Sequence, residues 1–244
     1  MRWLLAATLL GVALPGAAHA AERCVVISGG SVHFPDGTRQ GTITIRGELI
    51  SDVDEPGVSE GCERIDATGK VVTAGLIEPY SALGLTEVDL EKGTVDHAPG
   101  GALAARPVRA SFIVADAYNP RSTLIPISRM GGITSAVTAP SGGLVSGQSA
   151  FVDLLGSTQA EVVQRRTAAF HVHLGGGGGS RSDRIAGLRN LLSEARLFRD
   201  KGEEWRKMRY RGFVTPVTEL AAIQPALFGR APLAVHVDLS LIHI

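Results

Sequence analysis

The sequence predicts a mixed α/β chain in which a short all-β part precedes a longer part of alternating strands and helices. Three observations predict it. Residues 24 to 75 hold strand-like runs separated by Gly, Pro and Asp turn signals; "GGITSAVTAPSG" and "APLAVHVDLSL" further on are apolar and β-branched; and helical periodicity lies between them. Strands alternating with helices imply parallel pairing through crossover units.

The first segment, "MRWLLAATLLGVALPGAAHA", stands outside this fold. It carries one basic residue, Arg2, an apolar run from Trp3 to Leu14 and a small-residue ending, Ala18-His19-Ala20. That pattern predicts a secretory signal peptide over residues 1–20, with an apolar run too short to span a bilayer comfortably. A mature chain beginning at Ala21 is expected to be secreted or periplasmic, with no membrane insertion after cleavage. The chain carries 24 basic and 24 acidic residues, so it lacks the basic footprint that nucleic acid requires. A small-molecule substrate is the expected partner, and nothing in the sequence sets the oligomeric state.

The β part then runs through "CVVISGGSVHF", "GTITIRGELISDV", "CERIDATGK" and "VVTAGLI", with Pro35-Asp36-Gly37 as a turn. Ile43 and Ile45 alternate onto one face, as a half-buried antiparallel strand would place them. The expected element is a small antiparallel β-sandwich or sheet layer over residues 21–76. Its two cysteines, Cys24 and Cys62, are the chain's only ones, and an oxidising compartment favours a disulfide between them. Closing that loop would add about 4 kcal/mol by the chain-entropy argument. Two buried free thiols are the alternative.

In the second part the clearest helix carries Ile185, Leu188, Leu192 and Ala195 at helical spacing, and Ser180 with Asp183 forms a capping-box pattern ahead of it. A second helix is expected over Val217 to Phe228, with Pro225 as a kink or stop. The five-glycine run from Gly175 to Gly179 lacks the Gly-Lys-Ser/Thr ending of a nucleotide loop and reads as a connection.

One segment, "IDATGKVVTAGLIEPYSALGL", resembles the strand-to-barrel junction of the amidohydrolase superfamily, in its imidazolonepropionase-like secreted branch. Residues 116 to 154 are similar to the same family through an Asn-Pro pair, an Arg before a Gly-Ile-Thr strand and a Ser-Gly-Gln loop, and "VVISGGSVHFPDG" resembles its opening strand. The resemblance implies a partial (β/α)8 TIM-like barrel over residues 77–244, preceded by a β-sandwich that the family builds from both chain ends. It also implies one or two divalent ions, zinc above all, at the C-terminal face of the barrel, where imidazoles hold an ion that activates water for attack on a C–N bond.

The site residues follow one at a time. Glu78 takes the place of the family's Asp, while Tyr80 and Ala82 take the places of its His-x-His pair, so Tyr80-Ser81-Ala82 cannot form the usual two-metal loop. His236 resembles the family's later strand histidine and is the candidate metal ligand, with Asp238 two residues on. Gln148 is the candidate substrate-binding residue, on a polar loop at a strand end. His171 and His173 form a literal His-x-His, yet they lie away from the family's metal loop and read as a strand-end pair. Glu87, Asp89 and Glu91 read as exposed charge.

A full barrel needs at least about 200 residues, more than follow residue 76 in this chain of 244. The chain is therefore expected to be an N-terminal fragment, with Leu239 to Ile244 a non-native tail and His243 without a role. The implied function is a metal-dependent amidohydrolase-like hydrolase acting on a non-peptide or cyclic C–N bond. The alternative is a catalytically inactive binding or scaffold protein that kept the fold.

Overall fold

A computed structural model describes residues 23–54, 61–175 and 180–237. The expected leader, Asp238 and the tail from Leu239 to Ile244 lie outside the described residues. The chain divides into two compact units, Met1–Ala74 and Gly75–Ile244. Among the described residues, no helix is long and apolar enough to cross a membrane.

The first unit contains β1 (Cys24–Phe34), β2 (Gly37–Arg46), β3 (Leu49–Val53), β4 (Glu63–Asp66) and β5 (Val71–Val72). They form one sheet in the order β3-β2-β1-β4, with β5 also on β1. β1 and β2 make the expected antiparallel hairpin, closed by Phe34 opposite Gly37. Of the expected antiparallel β-sandwich or sheet layer, the described residues form a single sheet, and it is not purely antiparallel: β4 and β5 both run parallel to β1. A register shift between Ile27 and Gly30 bends β1, so that one edge receives β4 at residues 25–28 and β5 at residues 31–32. Gly30 sits at that bend because a Cβ there would stand 2.8 Å from the Ala67 Cβ.

The parallel register also explains the disulfide. Val25 pairs with Glu63, which sets the preceding residues Cys24 and Cys62 side by side with Cα atoms 4.6 Å apart and their sulfurs bonded. Neither cysteine is left free in this arrangement.

The second unit is built on β6 (Leu76–Ser81), β7 (Ile133–Thr138), β8 (Val145–Asp153), β9 (Val163–His173) and β10 (Leu233–His236), in the order β10-β9-β8-β7-β6. Pairing is parallel for β6 with β7 and for β9 with β10, but antiparallel for β7 with β8 and β8 with β9. The uniform parallel alternation expected from the sequence fails at β8. Only residues 139–144 connect it to β7, and so short a link makes a hairpin, whereas a parallel crossover needs a dozen residues or more.

Six α-helices are described: α1 (Gly101–Ala104), α2 (Leu124–Met130), α3 (Gln159–Val162), α4 (Arg181–Arg206), α5 (Val217–Ala222) and α6 (Gln224–Leu227). The capping box of α4 is present in both directions: the Ser180 side chain accepts from the Asp183 amide, and the Asp183 carboxylate accepts from the Ser180 amide. Its inward stripe is buried at Leu191 and Ala195 and half-buried at Leu188 and Phe198, packed with Phe170, Val172, Leu220 and Ile223. The helix expected over Val217 to Phe228 is divided at Ile223, two residues before Pro225. A second cluster, including Leu85, Tyr118, Ala136, Ala150 and Val152, fills another part of the unit, so β8 is packed along most of its length.

The sheet is strongly curled into a half-barrel. Four strand spacings in a flat sheet would hold β6 and β10 about 19 Å apart, yet the Tyr80 ring on β6 lies 4.5 Å from the His236 ring on β10. The two edge strands are brought round until their C-terminal ends meet. Closure into a full barrel is not seen among the described residues.

Candidate active site

The curl delivers four side chains to one place. His171 and His173 are two residues apart on β9 and so share a face. On the neighbouring strand the register pairs Ala234 with His171 and His236 with His173, which puts His236 on that face as well. On the other side Gly147 of β8 pairs with His171. The His171 ring thus lies between two small neighbours, Gly147 and Ala234, in a slot a larger side chain would fill. Gly147 is fixed by its surroundings: it holds φ +135°, and a Cβ there would come within 2.4 Å of the Phe112 carbonyl oxygen.

Within the slot, His171 is only 2% exposed. Its Nδ1 stands 2.8 Å from His236 Nε2, a hydrogen bond in which one ring donates and the other accepts. His173 stacks on His236 with ring centres 4.4 Å apart and ring planes nearly parallel, 10° from one another. Tyr80 closes the group from β6, its ring 4.5 Å from His236 and 5.5 Å from His171.

Burial sets the charge state. It pushes the His171 imidazolium down to about 4, and the neighbouring His236 and His173 push in the same direction. Burial also lowers His236 and raises the Tyr80 phenol above its ordinary value. At neutral pH His171 and His236 are therefore neutral, beside a protonated phenol at Tyr80. His171 Nε2 is buried with no hydrogen-bond partner among the described residues, so its bonding capacity is unspent.

That donor set is chemically suited to an imidazole-preferring divalent ion such as zinc, because neutral imidazole nitrogen is the required form. In the arrangement described, no three His, Cys, Asp or Glu side chains surround a common point among the described residues. Instead, His171 and His236 satisfy each other.

The sequence reading placed His236 here and set His171 and His173 aside. The signal that would have included them is the parallel pairing of "AAFHVHL" with "APLAVHV", which aligns His173 with His236. Gln148, the candidate substrate-binding residue, faces inward. It is 6% exposed, its amide nitrogen donates to the Ala110 carbonyl at 2.8 Å, and its amide oxygen accepts from Thr167 at 2.5 Å. The amide nitrogen ties the 107–113 segment to β8, and the amide oxygen ties β8 to Thr167 of β9. Ser81 and Ala82 sit at the end of β6 beside Tyr80, where Ser81 accepts from the Leu83 amide.

No family model matches the sequence, and no similar sequence is found among curated proteins. Among solved structures the chain is similar to an amidohydrolase from Thermotoga maritima MSB8, with a TM-score of 0.70 and 18% identity over 88% of this chain and 58% of that one. This chain therefore spans 58% of the length of that protein. A prolidase complexed with N-methylphosphonate-L-proline is also matched, at a TM-score of 0.26 and 20% identity over 48% of this chain and 30% of that one, a likeness too slight to argue from. The likeness to the amidohydrolase is one of fold.

Proposed function

We propose that this amidohydrolase-fold chain belongs to a metal-dependent hydrolase of the imidazolonepropionase-like branch, exported behind residues 1–20 and acting on a non-peptide or cyclic C–N bond of a small molecule. The observation that carries the reading is the group of three imidazoles and a phenol at the C-terminal ends of β6, β9 and β10. Strand ends on this side are where barrel enzymes keep their chemistry. The Cys24–Cys62 disulfide suits export to an oxidising compartment.

His171, His173 and His236 would hold the ion, zinc in the first instance. A divalent ion bound there would supply a Lewis acid and an activated water. The rest falls to the chain. The strand register keeps the three imidazoles on one face, burial keeps His171 and His236 neutral, and the slot between Gly147 and Ala234 excludes water from His171. Tyr80, held as a phenol, covers His236 and can donate a hydrogen bond to a carbonyl oxygen.

The second reading, an inactive scaffold, is favoured by one feature: the β6 strand end offers Tyr80 and Ala82 where the resembling family has its histidine pair. Hydrolysis of a panel of lactams, cyclic imides and N-acyl amines by the zinc-supplemented full-length protein separates the two. Turnover that disappears in His236→Ala is the expected result. Turnover equal in both proteins contradicts the site, and none in either favours the scaffold.

A further inference from the structure

Tyr80 has a second side. The ring that covers His236 also lines an open cleft of about 540 Å³, a size typical of small-molecule sites. Its wall is apolar along Leu83, Leu124, Ile127 and Ile133. Its polar groups are dominated by three carboxylates, Glu78, Glu87 and Asp89, and among the described residues no lysine, arginine or histidine lines it.

None of these carboxylates is in a salt bridge among the described residues. Glu87 is held in the ionised form by hydrogen bonds from Ser122, Thr123 and Asn119, which lower its pKa. Glu78 accepts from the backbone amide of Tyr80 at 3.2 Å, so its carboxylate is anchored at the foot of the shared ring. An apolar wall, an aromatic ring and fixed negative charge together select a ligand with an aliphatic body and a cationic nitrogen.

We propose that this cleft binds a small molecule bearing a primary ammonium or guanidinium group, and that Tyr80 is the wall shared between that cationic end and the histidine cluster. The substrate class becomes a basic amide: its charged nitrogen lies against Glu78 and Asp89, its aliphatic part runs along Leu124 and Ile127, and its scissile bond reaches past Tyr80. The last clause rests on the hydrolase reading above; the charge selection does not.

Calorimetric titration of the full-length protein with hexylammonium chloride, and with 1-hexanol as its neutral counterpart, tests the cleft. Hexylammonium is expected to bind about fivefold tighter than the alcohol, with the preference lost in the double variant Glu78→Gln, Asp89→Asn. Equal affinities, no saturable binding of either probe, or a preference that survives in the double variant would overturn the proposal. Zinc binding measured on the same samples keeps the two readings apart: an ammonium preference without zinc binding removes the hydrolase reading alone, and zinc binding without the preference removes the cleft alone.

Discussion

Two strand ends face each other in the second unit and solve opposite problems. The end of β6 offers Tyr80, Ser81 and Ala82, more than a third exposed at the tyrosine and free of imidazole. The ends of β9 and β10 offer His171, His173 and His236, with His171 sealed by its strand neighbours. The difference teaches that the imidazoles are gathered by the assembled face rather than by one loop. A β6 end without an imidazole still contributes the ring that lies against His171 and His236 of the other strands.

The sharpest way to break this comparison is to fill the slot on the β9 side. Gly147→Val forces a β-branched residue into a positive-φ position against the Phe112 carbonyl, at a cost of about 4 kcal/mol. Chemical denaturation should register a loss of that order, and a loss below about 1 kcal/mol would mean that β8 does not hold His171 as described.

Acid should separate the two ends next. The folded-state pKa of His171, about 4, lies below its ordinary value of 6.5. As pH falls below 6.5 the unfolded chain takes up a proton that the folded chain refuses, so stability is complete above 6.5 and declines as pH approaches 4. The group accounts for about 3 kcal/mol over that window. Urea midpoints measured with a chelator present should fall through this range in the parent protein and change less in His171→Gln.

The smallest effect lies on the β6 side. Tyr80→Phe keeps the ring and should leave stability within about 0.5 kcal/mol, whereas Tyr80→Ala loses the ring contacts at about 1 kcal/mol. The same pair, read by the rate of histidine modification with diethyl pyrocarbonate, sharpens the point: alanine should expose His236, and phenylalanine should not.

Local signals in the sequence carried much of the fold. The capping box at Ser180 and Asp183, the break before Pro225 and the β1–β2 turn all depend on residues a few positions apart, and each is present. What local pattern could not settle was long-range register. Val25 pairs parallel with Glu63 across a distant connection, and β8 runs antiparallel because its link to β7 is short. The site suffered most from this limit. His173 and His236 are far apart in the chain and become neighbours only through the β9–β10 pairing, while Gln148, polar and near a strand end, is turned inward by Ala110 and Thr167.

The central proposal is that zinc is held by the histidines of β9 and β10 and not by the Tyr80–Ala82 end of β6. Zinc stoichiometry of purified full-length protein tests it most directly, in the parent, in Tyr80→Phe and in the double variant His171→Ala, His236→Ala. The account predicts the same bound zinc in the parent and Tyr80→Phe, and none in the double variant. Stoichiometric zinc retained without the two histidines would contradict it.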